Sequence, residues 1–507
     1  MLTAALARTT EIRRLWLATA IISGLGALTC FDAMPGLNWP LWTITAAGGF
    51  VAFQRAAGKT VTWDRLVPLI LACVLSGAAA VTADPIFQGL ILIGVTILGA
   101  LSTLVASGTD TDRVDGKTIA FAPIVAGLNA LSETGKRATE AAKLASAEQM
   151  MPLLRGGALA LPIVGLFALL LSGADSTLAS WRDGLANALG QFTFIPRMIF
   201  FSALGVLVLG AYGIAMRDEK RESVIAARTH APALWLGATE RLIVFAGVAS
   251  VFGLFLVLQL SHLFGNVGAA VGSGVTYASA VHRGFAELTV CATLCALLII
   301  LADKVAVRGE HESKVRTLAL VLIVETQLLL FSAYHRVDLY ENAYGYTTER
   351  LYAQVYMGLV SGVLAMLAWE VWGAIDMPRL VRRTATVGVL ALTTLSYWNH
   401  HAWIARQNVD RFAATGKIDT RYLAKDLAPN AMPQVAALLP RLSAADAAWT
   451  KGCLRDLYLA HGGLDRSGHW YEWNARRAAI RPALLEAGVI QPGDVAGSGP
   501  RGSKLCS

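Results

Sequence analysis

Residues 317–335 read TLALVLIVETQLLLFSAYH, nineteen positions with a single formal charge at Glu325. An apolar run of that length is long enough to cross the ~30 Å hydrocarbon core of a bilayer as a helix. Lipid offers no water to the peptide groups, so a spanning segment must satisfy them within itself, and a helix does so. Working outward, ten further runs of similar character are found near 15–31, 37–54, 66–83, 86–107, 156–173, 198–216, 242–262, 285–302, 353–373 and 385–400. The sequence therefore predicts an all-α polytopic membrane helix bundle of about eleven transmembrane helices.

Composition agrees with that reading. The chain has 507 residues, 55% hydrophobic and 15% charged, with mean hydropathy +0.53. Soluble domains carry about 25% charged residues, so there are too few charges here to cover an aqueous surface. The net charge of +8 follows from the clustering of Lys and Arg in alternate connections and implies no nucleic-acid partner. Four of the six cysteines (Cys30, Cys73, Cys291, Cys295) lie in apolar runs and read as small core hydrophobes. The first run leads straight into further runs, so it reads as an anchor and not as a cleaved signal.

Counting Lys and Arg sets the orientation. Alternate connections on one side hold 24, those on the other only 5. The basic side faces the cytoplasm, which places the N-terminus inside, the C-terminus outside, and the chain in a bacterial inner membrane. Thr118–Leu131 is also apolar but is broken by Pro123 and Asn129 and runs into a charged, alanine-rich stretch. It reads as a surface helix, because a twelfth span would reverse every later loop. The expected organisation is 1–110 with four spans, 111–155 a helical linker, 156–400 with seven spans, 401–490 a small helical extracytoplasmic domain, and 491–507 a disordered tail.

The dense polar motifs fall on the outer side. They are Asp175 in SGADSTLASWRD, Arg283 and Glu287 in YASAVHRGFAEL, YHRVDLYENAYGYTTER, and NHHAWIARQNVDR. A carboxylate at mid-span is costly unless it is used, so Glu325 is the sharpest candidate. Helix locking is the plainer alternative. Glu325, Ser332 and Arg336 share a helix face. Arg336 and Arg350 have the planar fork that grips carboxylate or phosphate, although salt bridges to Asp338, Glu341 and Glu349 would also use it. Tyr340 and Tyr344, with Tyr334 and Tyr346, fit either an interfacial aromatic belt or a ligand site. Arg406, Asn408 and Arg411 complete the ligand-binding candidates. His262, His282, His335, His400 and His401 fall near the outer face without metal-ligand spacing, and no nucleophile signature is present. No metal, cofactor or catalytic residue is therefore assigned.

The outer motifs resemble a bacterial family of multi-pass membrane proteins described only as a domain of unknown function (groups four-one-five-three and four-one-seven-three). The resemblance rests on LLLSGADSTLA at 169–179, YASAVHRGFAEL at 277–288, HRVDLYENAYGYTTERLYA at 335–353, IARQNVDRFAATGKIDTRYLAKDLAPNAMP at 404–433 and YEWNARRA at 471–478. It spans roughly 155–480, with the family's usual ADP triplet standing as Ala174-Asp175-Ser176. It implies a fold and a location, and no activity. The functional expectation is an outward-facing polar site that binds, senses or transports an envelope-related ligand, anionic or a lipid headgroup. The partners are then the bilayer and a membrane protein. A non-catalytic scaffold or sensor partner is the second reading. A glycosyltransferase-like enzyme with a lipid-linked donor is the third, although the first outer loop is short and offers only Asp32.

Overall fold

The computed structural model describes residues 2–109, 114–144, 194–217, 237–264, 277–307, 311–373, 375–427, 429–460 and 469–497, and in those stretches the chain is helical. Contacts divide it into two units. One comprises 1–111, 117–225 and 466–478; the other comprises 112–116, 226–465 and 479–507.

The first unit contains α1 (Leu2–Thr29), α2 (Asn38–Ala56), α3 (Trp63–Gly77, extended by the 3₁₀ turn Ala78–Ala80), α4 (Pro85–Ala106), α5 (Gly116–Leu144) and α6 (Phe194–Ala215). The start of α4 is fixed locally. Pro85 needs no amide partner at the first helical position, and the Asp84 carboxylate accepts from the Ile86 and Phe87 amides. Leu15, Ile22, Phe50, Val208, Leu209 and Tyr212 form the core. Tyr212 donates to the Ala46 carbonyl at 2.9 Å. Gly49 leaves room for that ring, because a Cβ there would lie 2.3 Å from the hydroxyl. Helix α5 crosses α6 so closely that a Cβ on Gly210 would meet the Ala130 backbone at 2.3 Å. The Thr134 hydroxyl bonds the Val206 carbonyl across the same contact. Beside it Glu133, 3% exposed, pairs with Arg137 and Arg217. Helix α5 thus embraces its own unit along one face, while Phe121, Ile124 and Leu128 stand exposed on another.

The last part of the first unit comes from far along the chain. Residues 469–478 lie against the connections that follow α1 and α3. Asn474 is 2% exposed, and its amide donates to the Ala79 and Thr82 carbonyls at 2.9 Å each. Arg476 reaches the Thr82 hydroxyl, and Arg477 reaches the Pro35 and Glu472 carbonyls. The Leu37 amide donates to the Trp473 carbonyl. Burial away from water pulls the Arg476 guanidinium down to about 10, with the Asp84 charge opposing that fall.

The second unit contains α7 (Ala238–Phe264), α8 (Tyr277–Lys304), α9 (Glu312–Tyr344), α10 (Thr348–Trp372) and α11 (Met377–Tyr397). The tail helices α12 (His400–Thr415), α13 (Thr420–Lys425), α14 (Met432–Leu438), α15 (Ala444–Ala460) and the end of α16 (Ala475–Glu486) complete it. Helix α9 packs against α7, α8 and α10 over a core that includes Phe245, Cys295, Ile299, Leu322, Leu330 and Leu364. The tail helices enclose a second core of Ile404, Leu423, Met432, Val435, Leu454, Tyr458 and Ile480, to which Leu351 of α10 contributes.

Six described helices are long and apolar enough to cross a membrane: Trp63–Ala80, Pro85–Ala106, Pro196–Ala215, Ala238–Val257, Glu312–Tyr344 and Thr348–Trp372. The described residues are thus helical, and the chain has the character of an integral membrane protein. Helices α1, α2, α8 and α11 occupy four of the other expected positions without being among those six; 156–173 lies outside the described residues. Two boundaries differ from the sequence reading. Helix α9 runs on through Tyr344, which turns Tyr340 and Glu341 inward. Residues 491–497, expected to be disordered, are held by Arg481, which donates to the Pro492 and Asp494 carbonyls, and by the Arg455–Asp494 pair.

Candidate functional site

The turn between α9 and α10 gathers more of the candidate residues than any other described place. Gly345, at φ +96°, ends α9, and its amide bonds the Glu341 carbonyl at 2.7 Å. Only glycine is free to take that angle. A Cβ there would also lie 2.6 Å from the Asn408 side-chain oxygen. Thr347 then caps α10 by accepting from the Arg350 amide. The Thr348 amide donates to the Tyr422 hydroxyl at 2.7 Å, and burial pushes that hydroxyl up to about 12.

Three side chains from the candidate set hold this turn. Asn408 of α12 accepts from the Tyr346 amide at 3.0 Å and donates to the Tyr346 carbonyl at 2.8 Å, pairing with it as a strand would. Arg411 donates to the Asn342 and Ala343 carbonyls in the last turn of α9, where a cation also meets the negative end of the helix dipole. Arg350 donates to the Gly345 carbonyl and lies 4.4 Å over the Tyr340 ring. That ring in turn sits 4.5 Å from Tyr344.

Inside the turn lies a residue that the sequence offered only as a salt-bridge partner. Glu341 is 2% exposed. One carboxylate oxygen accepts from Gln354 at 2.8 Å; the other, Oε1, has no hydrogen-bond partner among the described residues. Buried polar groups are nearly always paired. An orphaned carboxylate oxygen beside a stacked guanidinium and two tyrosines therefore has the character of a recognition site.

Next to it stands a second polar cluster. The Tyr352 hydroxyl lies 2.9 Å from His400 Nε2 and 3.5 Å from His401 Nε2, while Asn430 meets His401 Nδ1 at 3.1 Å. His400 Nδ1 lies 3.3 Å from both the Leu395 and Trp398 carbonyls. The adjacent histidines were the only signal in the sequence; Tyr352 and Asn430 gave none. Among the described residues no three His, Cys, Asp or Glu side chains converge as a metal site would require.

The remaining candidates lie apart. Glu325 is on α9 at mid-helix, and a Cβ on Gly253 of α7 would sit 3.3 Å from its Oε1. Its Oε2 and the Ser332 hydroxyl, on the same face, are buried without hydrogen-bond partners among the described residues. Arg336 is half-buried farther along α9 and Arg406 is exposed on α12. Arg283 and Glu287 belong to α8, but their side chains lie outside the described residues, as does Asp175.

The sequence model of the family described as "Domain of unknown function (DUF4153)" matches residues 69–438. The chain belongs to that family. The match begins within α3 and ends with α14. It takes in helices to which the sequence resemblance had not extended and leaves out the 471–478 motif. No curated protein and no solved structure matches the chain.

Proposed function

We propose that this DUF4153 protein spans the bacterial inner membrane eleven times, with the tail helices outside. In this reading the α9–α10 turn carries an outward-facing site for an envelope-derived ligand. The observation that carries the reading is Glu341, a buried carboxyl with one unpartnered oxygen set among Arg350, Tyr340 and Gln354. A ligand that fits this chemistry offers an N–H or O–H donor to Glu341 and an anionic group to an arginine, as a phospholipid or glycolipid headgroup does. Two observations support the orientation. One is the 24-to-5 contrast in basic residues. The other is Cys453, which is disulfide-bonded, as suits an oxidising compartment. Cys30, Cys73, Cys291 and Cys295 are free, and Cys506 lies outside the described residues.

Two experiments test the reading. A reporter active only outside the cytoplasm should be active when fused after Gly416 and silent after Val307; the reverse result overturns the orientation. Complementation of a deletion strain should fail with Glu341→Gln and with Arg350→Lys at normal expression. Full complementation by both removes the site and leaves a non-catalytic scaffold.

A further inference from the structure

At the opposite end of the second unit, Arg241 is 2% exposed. Its guanidinium holds Glu312 bidentately, at 2.7 and 3.1 Å, and also donates to the Val307 carbonyl. One buried cation thus ties the starts of α7 and α9 to the end of α8. It lines a small cavity with Asp303, Arg316, Phe245, Ile299 and Ala319. Beside that cavity Glu370, fully buried, is held by Arg379 and Arg383 and accepts from the Asp376 amide, which ties α10 to α11. Basic residues that look merely solvated in sequence therefore form ion pairs in which one partner, Arg241 or Glu370, is buried.

From this end a continuous seam leads inward. On α7 it follows Arg241, Phe245, Ala249 and Gly253, one residue per turn. On α9 it follows Glu312, Val315, Ala319, Leu322 and Thr326, at the three-and-four spacing of one face. Ile299 and Cys295 of α8 fill it from the third side, and the Thr326 hydroxyl contacts the Cys295 sulfur at 3.3 Å. The seam ends at Glu325, lodged against Gly253. Between the ion pair and Glu325 its side chains are small or apolar and buried. A polar mouth, an apolar plug and a carboxyl at mid-helix form the arrangement expected of a closed access route. Such a pair makes a firm closure, because parting it leaves the buried Arg241 charge without its counter-ion.

We propose that the Arg241–Glu312 pair is the latch of a closed route from the basic-loop end of the second unit to Glu325, a route that admits protons or small cations when the pair parts. The inference rests on the membrane reading above and is independent of the Glu341 site. Cys295 is the natural reporter, being free, 2% exposed and beside Thr326.

The test uses the full chain in inside-out and right-side-out membrane vesicles with a small, permanently charged methanethiosulfonate, reading modification of Cys295 by peptide mass. In the wild type Cys295 should be protected. In Arg241→Gln, reagent at the basic-loop face should raise its modification at least tenfold, with little change from the other face. The exchange Arg241→Glu with Glu312→Arg should restore protection, which separates a latch from simple misfolding. If Arg241→Gln keeps its wild-type elution in detergent and Cys295 stays protected, the latch is overturned. Equal labelling from both faces overturns it as well. These readings stand whatever the complementation result at Glu341, so the two proposals fail separately.

Discussion

Asn474→Ala should destabilise the first unit well beyond a typical surface change, because this one amide makes four bonds. Its N–H groups satisfy the Ala79 and Thr82 carbonyls, and its oxygen caps α16 by accepting from the Arg476 and Arg477 amides. Losing the cap costs about 1 kcal/mol. Leaving two buried carbonyls without these donors costs about 1 kcal/mol each at the low end of the usual range. The sum is about 3 kcal/mol. In a folded unit of about 230 residues, each kcal/mol shifts Tm by about 2–4 °C, so the expected fall is roughly 6–12 °C. Gly36→Ala attacks the same junction from the other side, since its Cβ would lie 2.5 Å from the Glu472 backbone. The two changes should therefore be less than additive. The assay is thermal unfolding of the purified chain in detergent, followed by tryptophan fluorescence and by loss of monodisperse elution. An Asn474→Ala protein within 1 °C of wild type (well below the roughly 6 °C minimum), or strict additivity with Gly36→Ala, would refute the reasoning.

The other expectations can be checked with the same preparation. Gly210→Leu should prevent α5 from docking on α6, because even a Cβ collides with the Ala130 backbone; a large drop in the yield of monodisperse protein is expected, and normal yield counts against the crossing. Gly345→Ala should cost about 1–3 kcal/mol through its positive φ. In combination with Asn408→Ala the loss should be smaller than the sum, as the Cβ then has room. Asp494 is held below the usual carboxylate range by the Gln491 amide and then by Arg455. Its contribution is therefore present above about pH 4 and is lost as pH falls through its lowered folded value. Asp494→Asn should flatten the acid limb of the Tm–pH curve, and an unchanged limb would contradict the assignment.

The apolar helices were readable because a bilayer imposes one crude requirement, an uninterrupted run of apolar side chains. Helices α4, α6 and α9 announce themselves that way. What the runs could not reveal is where a helix stops once it leaves the apolar stretch. The apolar run ends at His335 and charged residues follow, yet α9 continues to Gly345, which turns the chain at positive φ. Partner choice was equally hidden. Arg379 and Arg383 looked like ordinary basic-loop residues, because the acid that holds them, Glu370, lies before the connection in a different helix. Asn408 and Arg411 stood among the ligand-binding candidates, and their donors are taken up by backbone carbonyls instead. Glu341 was read only as a salt-bridge partner, because its isolation comes from burial, which composition does not record.

The distance in sequence between Asn474 and Thr82, 392 residues, also fixes an order of events during synthesis. At about 5–20 residues per second, roughly 20–80 s separate the emergence of the α3–α4 connection from that of the segment that completes it. Throughout that interval the Ala79 and Thr82 carbonyls must rely on water or a chaperone. The early helices are therefore held as an unfinished product until the last tenth of the polypeptide arrives. A chain released early, before residue 469, would insert its helices and still present an unsealed rim to the quality-control proteases of the membrane.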